Sequence, residues 1–98
     1  MAYLRVWRFR PEPDHHDAFV AAYDPSGDWD TLFRRDPGFL GTELWRDRDG
    51  SFVTVDRWDD EAAFDRFQVD HGKAYRQLDD RLERFAGEEI FLGAFDVV

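Results

Sequence analysis

The chain has 98 residues, 17% of them aromatic and 36% charged, with a net charge of -9 from 22 acidic and 13 basic side chains and no cysteine. That length gives one domain, residues 1–98, with much of its surface wet unless a partner covers it. The scattered basic residues exclude a phosphate-backbone partner, and missing cysteines exclude disulfides, thiol catalysis and iron–sulfur clusters.

The chain opens as MAYLRVWRF, without the basic segment, apolar run and small-residue cleavage site of a signal peptide, so a cytoplasmic location is expected. No uncharged stretch is long enough to span a membrane, and no membrane partner is expected. Residues 3–10, YLRVWRFR, mix β-branched and aromatic side chains and stop at Pro11, which predicts a strand ended by a residue that cannot donate to a ladder. Pro13 and Asp14 start a helix whose apolar face is Phe19, Val20 and Tyr23. Trp29, Leu32 and Phe33 recur at i, i+3 and i+4 and predict a short helix over 28–35, closed by Asp36-Pro37-Gly38. The segment from Asp24 to Asp36 is either a lid with Trp29 as its plug or a packed connection.

Two strands follow, 39–46 and 52–58, joined by Asp47-Arg48-Asp49-Gly50 with the Asp-Gly pair of a hairpin. Asp59 and Asp60 offer helix caps, and Ala63, Phe64, Phe67, His71, Tyr75, Leu78, Leu82 and Phe85 form one apolar stripe up to Gly87. A break is expected at Asp70 to Gly72, and residues 90–98 form a last strand punctuated by Gly93. The order is β-α-(short α)-β-β-α-β, a ferredoxin-like split βαβ arrangement of the α+β class with a four-stranded antiparallel sheet ordered 4-1-3-2.

Strand parity sorts the side chains. One set is Tyr3, Arg5, Trp7 and Phe9 with Phe39, Glu43, Trp45, Phe52, Asp56 and Trp58; the other is Leu4 and Val6 with Leu40, Leu44, Val53 and Val55. A sheet apolar on both sides predicts a homodimer joined sheet to sheet. Arg5, Glu43 and Asp56 fall together on the aromatic face. They form a pocket floor if that face meets the helices, and an interface ion network if it meets a partner.

The turn Pro37-Gly38-Phe39, the strand ending in Trp58 and the run RWDDEAAFDRF passing into a helix resemble the antibiotic biosynthesis monooxygenase domains of the dimeric α/β-barrel superfamily. The resemblance implies a barrel of two sheets, a small pocket in each subunit, and oxygenation of phenolic or quinol-like compounds without flavin, haem or metal. A deprotonated phenol is itself reducing enough to pass an electron to dioxygen, so such a protein need only bind, deprotonate and exclude water.

On this basis the expected function is a cofactor-independent monooxygenase for a small aromatic or polyketide-type compound. The other reading is a non-catalytic dimeric module of the same fold that binds a small ligand. His71 and Tyr75, four apart on the stripe, are the proton-handling candidates; the plainer reading of His71 is that it fills a helix joint. Trp58, Trp7, Phe67 and Trp29 are candidate walls, with Arg5, Asp56 and Glu43 as candidate polar contacts. The resemblance places an Asn beside the strand-end Trp; this chain has no Asn, and Thr54 is the nearest polar substitute. His15 and His16 are adjacent and diverge around a helix, so they do not chelate together, and no metal site is expected.

Overall fold

The computed structural model describes residues 2–98. Strands β1 (Tyr3–Arg10), β2 (Phe39–Arg46), β3 (Phe52–Trp58) and β4 (Glu88–Asp96) form one antiparallel sheet ordered β2-β3-β1-β4. Helices α1 (His16–Tyr23), α2 (Asp28–Phe33) and α3 (Glu61–Ala86) connect them, with a 3-10 turn at Pro13–His15 leading into α1. The strand order, element sequence and α+β class agree with the pattern read from the sequence. Among the described residues no helix is long and apolar enough to cross a membrane.

Each element is set by local chemistry. Asp60 caps α3 by accepting the Ala63 N–H at 2.8 Å. The apolar stripe then buries Ala63, Phe67, Leu78, Leu82 and Ala86 against the sheet. At His71 the backbone leaves helical geometry (φ -127°, ψ 18°) and α3 kinks, at the joint expected around Asp70 to Gly72. The turn before β2 is fixed to α3 by an ion pair: Arg66 meets the buried Asp36 carboxylate through two bonds of 2.9 and 2.7 Å. Gly38 donates to the same carboxylate at 2.8 Å. Any side chain at position 38 would put its Cβ 2.5 Å from that of Ala63, so only glycine lets the turn come this close.

The helices cover one sheet face, and the core between them is mostly aromatic: Phe9, Phe19, Phe33, Phe39, Trp58 and Phe67 are all buried. The parity pattern holds for β1 and β3, where Arg5 stands opposite Asp56, Trp7 opposite Thr54 and Phe9 opposite Phe52. On β2 it must be corrected. The register slips between Phe39 and Gly41, with Phe39 opposite Trp58 but Thr42 opposite Asp56. The extra residue is a β-bulge, and Gly41 adopts φ +142°, a conformation that favours glycine. Beyond the bulge, Thr42 and Leu44 turn to the helices, while Glu43 and Trp45 turn to the opposite face.

Candidate functional site

A cavity of about 60 Å³, partly open to solvent, lies between the helix-covered face of the sheet and the helices. Strands β1 and β3 build its floor, where alternation brings Trp7, Phe9, Thr54 and Asp56 to one side. Thr42 enters from β2 because of the bulge. Helices α1 and α2 contribute Tyr23, Trp29 and Phe33, α3 contributes Tyr75 and Asp79, and β4 contributes Glu89. Trp29 and Phe33 share one face of α2 at i,i+4, their rings 5.6 Å apart, and Trp29 also meets Tyr75 at 5.1 Å.

Asp56 is the central polar group of this space. Protein surrounds its carboxyl, while part of the residue stays open to the cavity. Thr42 donates to its Oδ1 at 2.9 Å, and its Oδ2 has no hydrogen-bond partner among the described residues. Burial pushes its pKa up to about 7, opposed by the Thr42 hydrogen bond and by the charge of Arg5. Burial also raises the phenols of Tyr23 and Tyr75, so both stay protonated at neutral pH. The Trp29 indole is near enough to Tyr23 to oppose part of that rise, yet its N–H lies outside hydrogen-bond geometry and is buried without a partner.

The sequence candidates separate into three groups. Trp7, Trp29, Thr54, Asp56 and Tyr75 come together around the cavity. Trp58 and Phe67 are fully buried in the aromatic core beside it, with Trp58 touching Phe33, Phe39, Phe64 and Phe67 at ring distances of 5.0 to 5.5 Å. Arg5 faces the helices, but its guanidinium is held between the rings of Phe64 (4.2 Å) and Phe91 (4.6 Å) and donates to the Tyr3 hydroxyl. His71 stands at the α3 kink with its ring 5.5 Å from Phe67 and does not line the cavity. Glu43 is on the far face, bound to Arg57 at 2.6 Å and to the Trp45 indole at 3.0 Å. The expected Arg5–Glu43–Asp56 cluster is therefore corrected to Arg5 opposite Asp56, with Thr42 in the place given to Glu43, because the bulge reverses the phase of β2.

A profile of the family described as antibiotic biosynthesis monooxygenase matches residues 2–78. The chain belongs to this family. Among solved structures, this monooxygenase-family chain is similar to SnoaB, a cofactor-independent oxygenase from Streptomyces nogalater, with 24% identity, a TM-score of 0.69, and coverage of 98% of this chain and 92% of that one. It is similar to Rv0793 from Mycobacterium tuberculosis, with 22% identity, a TM-score of 0.67, and coverage of 99% and 98%. A protein from Nitrosomonas europaea superposes with a TM-score of 0.72 at 14% identity, covering 99% of this chain and 90% of that one. At these identities the likeness shows the fold. No curated protein matches the chain closely enough to count as a relative.

Sequence reasoning passed over Thr42, Tyr23, Phe9, Phe33, Asp79 and Glu89 as site residues of this family member. Gly41 was the available signal for Thr42, since an isolated glycine inside a strand marks a bulge. Phe33 and Tyr23 read as core apolar positions and serve as both core and wall.

Proposed function

We propose that this protein is a cofactor-independent oxygenase acting on a small electron-rich aromatic of the phenol or quinol type, in a homodimer paired through the open sheet face. What supports the reading is the Asp56 carboxyl: it is set in an aromatic-walled cavity with one oxygen unpartnered, and its pKa is close to neutrality. A base is most effective when its pKa lies near the operating pH.

In the proposed reaction Asp56 Oδ2 accepts the proton of the substrate hydroxyl. Thr42 holds the carboxyl through Oδ1, and Tyr75, kept protonated by burial, donates a hydrogen bond to the phenolate. The phenolate passes one electron to dioxygen. The resulting radical and superoxide join at a ring carbon, giving a hydroperoxide anion that takes back a proton. Loss of water leaves a carbonyl, so an activated CH2 plus dioxygen becomes C=O plus water, with one oxygen atom in each product. The aromatic walls, Trp7 and Trp29 foremost, hold the ring and exclude water. His71 acts as the α3 joint, and Trp58 and Phe67 support the walls from behind.

Dioxygen uptake with a panel of anthrones and hydroquinones tests the reading. Asp56→Asn, which keeps the shape and the bond to Thr42, is expected to lower turnover by about 100-fold or more, within the usual contribution of a general base. Tyr75→Phe is expected to lower it less, and His71→Ala to leave it near the parent value. Undiminished uptake by Asp56→Asn removes the proposed base. Ligand binding with no uptake by any compound makes the protein a non-catalytic binding module instead.

A further inference from the structure

The cavity combines three carboxyl side chains, Asp56, Asp79 and Glu89, with an aromatic lining, and no Lys, Arg or His lines it. The carboxyls come from three separate elements, β3, α3 and β4, so their convergence belongs to the fold and not to a local run of acidic sequence. Asp56 and Asp79 are partly buried, with protein around the Asp56 carboxyl, and Glu89 is exposed. The nearest cation on the same face, Arg5, is occupied by two rings and a tyrosine hydroxyl and stays out of the lining.

From this geometry we infer that the cavity selects a cationic aromatic, a hydroxylated ring carrying a protonated amine, with the ring between Trp7 and Trp29, the hydroxyl toward Asp56 and the ammonium between Asp79 and Glu89 at the mouth. The inference rests on the cavity being the ligand site and is independent of oxygen chemistry. Aromatic faces attract an ammonium through their quadrupoles. A carboxylate ligand would meet the charges of Asp79 and Glu89, and that of Asp56 whenever it is ionised, in a space partly shielded from water, and the donors among the lining side chains are the phenols, the threonines, the two indoles and Asp56 in its protonated form. Burial raises the carboxyl of Asp79, and burial with the charge of Asp79 raises that of Glu89. Both charges also raise the phenols of Tyr23 and Tyr75, so the two carboxylates stand close to the tyrosines that line the cavity. A cation in the mouth relieves that repulsion, and a neutral ring does not.

Calorimetric titration of the intact protein with para-substituted phenols differing only in charge tests the inference: tyramine (cationic), para-ethylphenol (neutral) and para-hydroxyphenylacetate (anionic). The expected order is tyramine tightest, by about tenfold over para-ethylphenol, a factor equal to roughly 1.4 kcal/mol, with the anion weakest. In the double variant Asp79→Asn/Glu89→Gln the tyramine advantage should fall to near unity. In Glu89→Lys, a change at an exposed position that does not depend on the double variant folding, the anion should overtake tyramine. Equal binding of tyramine and para-ethylphenol in the parent overturns the inference, as does no binding of tyramine, or a preference that survives in the variants. Dioxygen uptake is read separately. Oxygenase activity on anionic quinols would leave the oxygenase reading standing and remove this one, whereas a cation preference without uptake would do the reverse.

Discussion

At the scale of single residues, Asp56 links stability to the proposed chemistry. Its carboxyl is held near pH 7, against an ordinary value of 3.8, because burial penalises the charged form more than Thr42 and Arg5 stabilise it. Between those two values the folded chain keeps a proton that the unfolded chain releases, so raising the pH across that window destabilises the fold. The stability tied to the protonated group is fully present below 3.8 and is lost as the pH passes 7. Asp56→Asn removes this dependence while retaining an acceptor for Thr42. Urea melts should show the variant more stable than the parent at pH 8, by up to about 4 kcal/mol if the whole shift were expressed. The difference should shrink steadily as the pH falls toward 4. A variant less stable than the parent at pH 8 would mean that Asp56 is ionised at little cost, and the rationale for a near-neutral base would go with it. The gain in stability alongside the expected loss of turnover is the usual signature of a group retained for function at a cost to the fold.

At the scale of elements, much of the architecture was legible because local chemistry and tertiary packing agree: Pro11 ends β1, Asp60 caps α3, and a single 3.6-residue stripe runs from Ala63 to Phe85. The site was less legible, because strand parity is preserved only while the register is. One extra residue at Leu40–Gly41 exchanged Glu43 for Thr42 beside Asp56 and sent Trp45 outward. Asp79 and Glu89 were missed for a different reason: only the folded sheet brings β4 to the mouth of a cavity roofed by α3. The contact between the β2 turn and α3 carries its own prediction. Asp36 is 2% exposed and Arg66 48%, so the members of the pair are not equivalent. Arg66→Ala strands a buried carboxylate with the Gly38 N–H as its remaining partner, whereas Asp36→Ala lets the freed guanidinium turn to water. Arg66→Ala should therefore cost about 3 kcal/mol at pH 7, and Asp36→Ala less. Arg66 holds the Asp36 pKa down, so the pair's contribution is present above the ordinary aspartate range and is lost as the pH falls through the depressed folded value. The Arg66→Ala penalty should accordingly diminish toward pH 3, and a penalty that is flat in pH would assign the loss to packing of the Arg66 stem and not to charge.

At the scale of the whole molecule, all the helices lie on one face of the sheet, and the other face is left to Leu4, Val6, Val53 and Val55 at its centre, with Leu40 and Trp45 toward one edge and Ile90 and Phe95 toward the other. Leu40 and Trp45 are 51% and 60% exposed, and the bulge that brings Thr42 into the cavity is also what turns Trp45 outward. One backbone irregularity thus serves both faces. Contiguous apolar surface of this kind in a chain of 98 residues calls for cover, and the proposed second copy would supply it by self-complementarity about a two-fold axis. The Glu43–Arg57 pair lies on the same face, where it would fix the rotation of one sheet on the other. Sedimentation at micromolar concentration should give a species of twice 11.6 kDa. Val55→Glu places a carboxylate near the centre of the face, between Val6 on one neighbouring strand and Glu43 on the other, where burial in an interface would leave it uncompensated and beside a like charge. It should shift the protein to a monomer while leaving the helix-side core intact, as judged by an unchanged near-ultraviolet signal from the buried Trp29 and Trp58. A parent that sediments near 11.6 kDa would remove the dimer. A Val55→Glu variant that remains dimeric would place the interface elsewhere, leaving the apolar face without its proposed partner.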